Sequence, residues 1–465
     1  MFRWRVWLVV LLCSTGFLFL SHCTPVAPSE KPPSEQSRRE CLKEGGCSAS
    51  DSGVDTEFSD ASEPTPERLP EPVPEPQKQS LRLGTPTIIE PAKDFGTLRI
   101  QPAVGISGNG EIGVAFTSRS NVDSKQLGIY FQLVDKEGKD KGKPIALNTL
   151  SGGHNEPSLC ALKNGGFVAA WSSDDKKSSD DNLHIYFRLI KADGSLVGDK
   201  EVEVDTGTKG NHWLAKVACA PKGGFTVAGV MPDSDGKTFG VFVQSFDATG
   251  KVVGKFVKAN VVAEGSQVYP QVSVAADGTR IVVWEDTRKD GGQELSTSRF
   301  RLLPAAGNPS GVLIAHGDST RPAARPNVAI SPDSGNFVIA TVLSGRSIRV
   351  SFYKADNPDK AASSPDMPAS GTSRFVNPIL TALPVKDRFG ILFFRSYGTS
   401  NTLKLGLLSP DKLLDTPVDV ADGKLPPYQP HLAASNNKVV VAWTERGQKS
   451  GTYTFKLALY PLEKP

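Results

Sequence analysis

Hydrophobic positions beyond residue 80 fall into a recurring pattern. It starts at Pro or a substitute, runs through a short apolar stretch and a Gly/Asn/Asp turn, and reaches a second apolar stretch ending in an aromatic residue. Pro157-Ser-Leu-Cys-Ala-Leu-Lys-Asn-Gly-Gly-Phe-Val-Ala-Ala-Trp171 and Pro270-Gln-Val-Ser-Val-Ala-Ala-Asp-Gly-Thr-Arg-Ile-Val-Val-Trp284 show it most fully. Pro430 to Trp443 and Pro102 to Phe116 repeat it, and weaker copies begin at Ala215, Pro326 and Pro378. The seven starts at 102, 157, 215, 270, 326, 378 and 430 are separated by 55, 58, 55, 56, 52 and 52 residues. Such near-constant spacing marks a repeat architecture.

Each copy continues alike. A polar loop leads to a third apolar run, such as Leu127 to Val134, Leu183 to Ile190 or Phe239 to Phe246. A Gly-containing turn follows (Asp135 to Gly138, Asp193-Gly194, Asp247 to Gly250), because Gly tolerates the positive φ of a tight turn. A fourth short strand, Pro144 to Leu147 or Glu201 to Val204, ends the unit. Four antiparallel strands repeated radially predict an all-β fold, a seven-bladed β-propeller. Runs such as Ile281-Val-Val-Trp284 are apolar at successive positions, as blades covered on both faces require, whereas a sandwich or open solenoid explains the spacing less well. The last copy has only three runs before the chain ends, and residues 85–90 precede Pro102 at the spacing of a fourth strand. They are predicted to complete the seventh blade and close the ring.

Composition changes this picture at the N-terminus. The whole chain, 465 residues with 38% hydrophobic residues, 44 Gly, 35 Pro and a net charge of +3, is that of an ordinary globular protein, and length alone suggests about three domains. The average conceals two parts. Residues 24–80 carry ten Pro and twelve acidic against six basic residues, with no hydrophobic periodicity, which predicts a disordered Pro/Glu/Ser-rich tether over 23–80. The propeller over 81–465 then holds a net +7, spread too thinly to mark a nucleic-acid binder. Arg3 and Arg5 followed by the apolar run Val6 to Leu20 read as a signal peptide over 1–22. Leu20-Ser21-His22-Cys23 resembles a bacterial lipobox, with His22 where a small residue is usual. That resemblance implies lipidation at Cys23, membrane attachment through that anchor and a place in the bacterial cell envelope, at the outer membrane or cell surface; the alternative is a secreted protein. Cys41 and Cys47 could close a small loop in the tether. Cys160 and Cys219, in apolar strand-like runs, read as buried thiols.

Candidate chemistry falls on the face shared by two loop sets, those entering each first strand and those joining second to third strands. The first set ends at Gln101, Glu156, Leu214, Tyr269, Arg325, Asn377 and Gln429, one residue before each repeat start, with His154 and His212 at equivalent places nearby. The second set brings Arg119, Asp286, Arg288, Arg346, Arg395, Tyr397, Glu445 and Arg446. The recurring Arg could grip a carboxylate, sulfate or phosphate, or could lock the loops by pairing with a neighbouring blade's Asp286 or Glu445. The two His lack fixed companions for a metal, and Asp233-Ser-Asp235-Gly236 has the start of a calcium loop without its later ligands, so no cofactor is expected. A monomer that binds a protein or anionic glycan at this face is the reading these residues support. A glycan-processing hydrolase or lyase is the alternative.

The copies resemble the roughly fifty-residue propeller repeats of bacterial secreted proteins and lipoproteins, many without assigned function. The resemblance covers residues 85–465 and implies the fold only. Ser331-Pro-Asp333-Ser-Gly335-Asn-Phe337 is similar to the sialidase Ser-x-Asp-x-Gly box, but Val338 stands where that family has Trp and no Phe/Tyr-Arg-Ile-Pro motif occurs.

Overall fold

The computed structural model describes residues 81–463, apart from short segments at 120–125, 175–181, 205–206, 234–237, 262–263, 291–292, 318–319, 369–373, 398–399, 414–415 and 424–427 and a few single positions. Residues 1–80, where a signal peptide and a tether are expected, and with them Cys13, Cys23, Cys41 and Cys47, lie outside the described residues.

Seven antiparallel sheets follow one another along the chain: six are blades of four consecutive strands, and the last has three strands completed by the N-terminal segment. The inner strands are Arg99–Ile106, His154–Ala161, Trp213–Cys219, Ser266–Val274, Ala323–Ile330, Arg374–Ala382 and Tyr428–Ala434. The predicted β-propeller is therefore the fold, and each repeat start falls within an inner strand. The second strands are apolar at successive positions because both of their faces are covered. Phe167–Ser173 and Phe337–Leu343, for example, are buried throughout.

The ring closes as the sequence predicts. Thr87–Ile89 pairs antiparallel with Leu457–Leu459 of the last strand, so the N-terminal segment supplies the outer strand of blade 7. Arg82–Leu83 extends the pairing to Leu462 and Glu463. Arg99, 5% exposed at the start of blade 1, fastens this segment. Its guanidinium donates to Pro91 O at 3.1 Å and Ala92 O at 2.7 Å, and pairs with Glu90 at 2.6 Å. Burial pushes the Glu90 carboxyl up, but the hydrogen bonds from Thr454 and Arg99 override it and hold the group below its ordinary value. The core is correspondingly divided into seven apolar clusters, one at each junction between blades. The cluster at the 7–1 junction, with Phe116, Val440, Phe455 and Leu457, is as dry as the others. Trp171, Trp284 and Trp443, the aromatic ends of the repeat, are all fully buried.

One expectation is corrected. Cys160 and Cys219 are not free thiols but a disulfide, with Cα atoms 5.6 Å apart, joining the inner strands of blades 2 and 3. Separate strands conceal this pairing in the sequence, because the two positions meet only when successive inner strands stand side by side around the axis.

Candidate functional site at the mouth of the axial channel

The first residues of each inner strand pair with the last residues of its second strand, as Arg99 does with Ser118, so both loop sets share one face. At that end every inner strand breaks register once, between Ile100 and Ala103 in blade 1 and at the matching place in the other six. The residue at the break is left-handed in all seven: Gln101, Glu156, Leu214, Tyr269, Arg325, Asn377 and Gln429 have φ between 45° and 56°. None is Gly, so each carries a conformational cost of about 1–2 kcal/mol that the surrounding structure must offset. A bulge of this kind re-aims the side chain at its apex. These are the seven residues that end the first loop set.

Each reversed backbone needs a partner for its N–H, and in three blades a side chain of the preceding blade supplies it. Gln101 N donates to Thr444 Oγ1 at 3.2 Å, Glu156 N to Gln101 Oε1 at 3.0 Å, and Arg325 N to Glu285 Oε2 at 3.0 Å. Two residues further on, the side chains do the same for the next inner strand. Ser158 Oγ accepts from Val217 N at 3.0 Å, Asn327 Oδ1 from Leu380 N at 3.1 Å, and His431 Nδ1 from Val104 N at 3.3 Å. The inner edge of a propeller has no further strand to satisfy it, so side chains take that role.

Within this ring the charges are unevenly provided for. Burial pushes the Glu156 carboxyl above its ordinary value, while the cations of Lys216 and Arg325 pull it back only in part. Burial pushes the Lys216 ammonium below its ordinary value, Arg325 adds to the effect and Glu156 opposes it. Burial, then the Lys216 charge, depresses His431 to about 4, which agrees with an Nδ1 that accepts a hydrogen bond. Glu156 and Arg325 belong to blades 2 and 5, and Lys216 and His431 to blades 3 and 7, so these fields act across the axis. Among the described residues, neither the Glu156 carboxylate nor the Lys216 ammonium has an ion-pair or hydrogen-bond partner. Arg325 lies over the Tyr269 ring, 3.5 Å from its centroid. A carboxyl raised above its ordinary value and an amine lowered below it, near a guanidinium, form a set that can pass a proton to or from an anionic molecule.

The other sequence candidates are occupied differently. Arg288 forms a two-point fork on Asp286, with both bonds 2.8 Å, and Arg299 adds a third contact at 2.7 Å. All three belong to blade 4, so the idea that Arg288 ties neighbouring blades together is corrected: it rigidifies its own hairpin. Glu445 likewise stays within blade 7, accepting from Trp443 Nε1 and pairing with Lys456, each at 2.8 Å. His154 Nε2 donates to Leu150 O at 2.9 Å and His212 Nε2 meets Thr208 Oγ1 at 2.9 Å, both four residues upstream, so these equivalent His brace their own loops. Arg119, Arg346 and Arg446 are exposed at hairpin ends, Arg395 is half-buried, and the side chain of Tyr397 lies outside the described residues. Asp233 is held by Lys258 and by Asn260 Nδ2 at 2.8 Å. Among the described residues no cluster of His, Cys, Asp and Glu has a metal-binding arrangement. The sialidase-like segment lies in a turn between inner and second strands of blade 5, at the opposite end of the strands. There Ser334 and Asn336 hold Asp387 of blade 6 at 2.5 and 3.2 Å.

The structure thus groups Glu156, Tyr269 and Arg325, all ends of the first loop set, and adds Lys216 and His431. Lys216 and His431 escaped the sequence reading, although a signal existed. The position one past each repeat start reads Ala103, Ser158, Lys216, Gln271, Asn327, Ile379 and His431, polar where an inner strand packed only on apolar neighbours would not be.

No protein-family model and no curated protein matches the chain. Solved structures are similar to it in part. The polysaccharide lyase Uly1 superposes with a TM-score of 0.53 at 10% identity, over 79% of this chain and 91% of that one. A protein of unknown function from Dyadobacter fermentans gives 0.47 at 13% identity, over 82% and 99%. The α-L-arabinofuranosidase Arb93A from Fusarium graminearum gives 0.45 at 14% identity, over 71% and 98%. At 10% identity the likeness to Uly1 speaks for a shared fold and not for its chemistry.

Proposed function

We propose that this chain is an exported, carbohydrate-active β-propeller that takes an acidic glycan at the mouth of its axial channel and cleaves it by elimination. The observation that carries the reading is the placement of Glu156 and Lys216, neither with a partner among the described residues, on adjacent inner strands at the channel mouth with Arg325 stacked on Tyr269; burial moves the acid toward its protonated form and the amine toward its free base. Arg325, stacked on Tyr269, would offset the charge of a uronate carboxylate. The Lys216 amine would take the proton from the carbon next to that carboxylate. The electron pair left behind forms the new carbon–carbon double bond as the bond to the glycosidic oxygen breaks, and the Glu156 carboxyl protonates the departing oxygen. Hydrolysis fits less well, because the usual mechanism needs two carboxylates flanking the bond, and the other mouth-face carboxylates, Asp286 and Glu445, are held by Arg288, Arg299, Trp443 and Lys456.

The test is a panel of uronate-bearing and neutral polysaccharides, followed by ultraviolet absorbance of the unsaturated product. Lys216→Met and Glu156→Gln should each lower turnover by about a hundredfold or more. Cleavage by both variants at the wild-type rate would refute the assignment. Saturable binding of the same glycan without product would make the propeller a binding module instead. The proposal also places the chain outside the cytoplasm, attached through Cys23. The Cys160–Cys219 disulfide supports export, since such bonds persist mainly in oxidising compartments. Fatty-acid labelling that survives Cys23→Ser would contradict the anchor.

A further inference from the structure

Seven junctions join the blades, and among the described residues one of them carries a covalent tie. Cys160–Cys219 spans the junction between blades 2 and 3, linking His154–Ala161 to Trp213–Cys219. The same two strands carry Glu156 and Lys216. Cys160 stands four positions beyond Glu156 and Cys219 three beyond Lys216, so at about 3.3 Å per residue the sulfurs lie roughly 10–13 Å down the strands from the pair. Between the two levels, Val217 N donates to Ser158 Oγ at 3.0 Å. The strands are therefore fastened to each other twice below the acid and the base.

Stability alone does not account for this placement. A cross-link restricts the unfolded chain according to the length of loop it closes, and that dependence is only logarithmic. Successive repeat starts are 52–58 residues apart at every junction within the chain, so a disulfide at any of them would restrict the unfolded chain equally. The junction that has one is the junction whose strands bear the unpartnered acid and base. We propose that the Cys160–Cys219 disulfide is a positioning clamp, holding the inner strands of blades 2 and 3, and with them Glu156 and Lys216, at a fixed spacing. The inference rests on the channel pair being the working site.

Its physical content is the partial burial of both groups, which limits their contact with water. Burial is the largest influence on both groups, and Lys216 also faces Glu156, Arg325 and His431. If the strands part and water enters, both groups return toward ordinary behaviour. Competitive acylation of lysines in the full chain, read by mass spectrometry across pH, follows Lys216 directly, with exposed Lys163 and Lys222 as internal references. The Cys160→Ala/Cys219→Ala protein should show a Lys216 labelling midpoint raised by about one pH unit or more, with the reference lysines unmoved. Glu156→Gln in the intact-disulfide protein should lower that midpoint, confirming that the label reports the channel. Wild-type protein reduced with a phosphine after folding gives the same reading if the double variant does not fold. A lower melting temperature with an unchanged Lys216 midpoint would overturn the clamp and leave a purely structural disulfide. Because no substrate enters the measurement, its failure leaves the elimination reading standing, and inactivity toward glycans does not affect it.

Discussion

His316 ends the outer strand of blade 4, Leu313–His316, and is 4% exposed. Its two ring nitrogens meet Thr341 Oγ1 at 2.8 Å and Ser351 Oγ at 2.7 Å, both in blade 5. Burial, helped by the nearby Arg349 charge, depresses it from 6.5 to about 3. The folded protein therefore keeps this ring neutral while the unfolded chain takes up a proton as pH falls below 6.5. Stability is full above that value and is lost as pH falls toward 3. At 1.36 kcal/mol per pH unit, acidification from pH 7 to 5 removes about 2 kcal/mol through His316. Half-buried His431 acts in the same direction with a smaller, solvent-screened effect, while Glu156 and Asp140, raised by burial, act in the opposite one. Urea unfolding followed by tryptophan fluorescence at pH 7 and pH 5 should show the loss. His316→Gln, whose amide can bond either hydroxyl and cannot titrate, should recover about 2 kcal/mol of the difference between the two pH values. Thr341 and Ser351 have second partners in Ser298 and Ser364, so the substitution does not strand them. An unchanged difference in the variant would refute the reasoning.

Three further outcomes follow from the fold. Deleting residues 81–92 uncovers the outer edge of Tyr453–Glu463 and removes the partners of Arg99, so size-exclusion chromatography should show self-association and the melting temperature should fall. Gly229→Ala would place a Cβ 2.4 Å from Ile185 Cδ1 and 2.7 Å from the Phe242 ring, and should cost about 1–3 kcal/mol in denaturant unfolding. Arg288→Ala leaves the buried Asp286 with Arg299 alone and should cost roughly 2–3 kcal/mol, whereas exposed Arg446→Ala should change stability by no more than about 0.5 kcal/mol.

Much of the architecture was legible because it depends on local patterning. The repeat starts fell within the inner strands, and the short segment near Ile88 proved to be the missing outer strand. Even the mouth of the channel was marked, since Gln101 through Gln429 were identified by position before their left-handed backbone was known. What stayed hidden depends on which side chains meet across the axis or between blades. Arg288 could have reached a neighbour, and only the hairpin geometry turns it onto Asp286 two residues away. Cys160 and Cys219 looked inert because apolar runs predict burial, not pairing. Lys216 and His431 sat in strands assumed to be apolar, and their role emerges only when blades 3 and 7 face each other around a closed ring.

The claim on which the account turns is that half-buried Glu156 and Lys216 act on each other as an acid and a base at the channel mouth. Carbon-13 NMR of glutamate carboxyls, with the Glu156 signal assigned by its loss in Glu156→Gln, measures this without any substrate. The account predicts a titration midpoint above the ordinary glutamate range, raised further by Lys216→Met, which removes a cation that favours the carboxylate. A midpoint within the ordinary range that ignores the loss of Lys216 would contradict it.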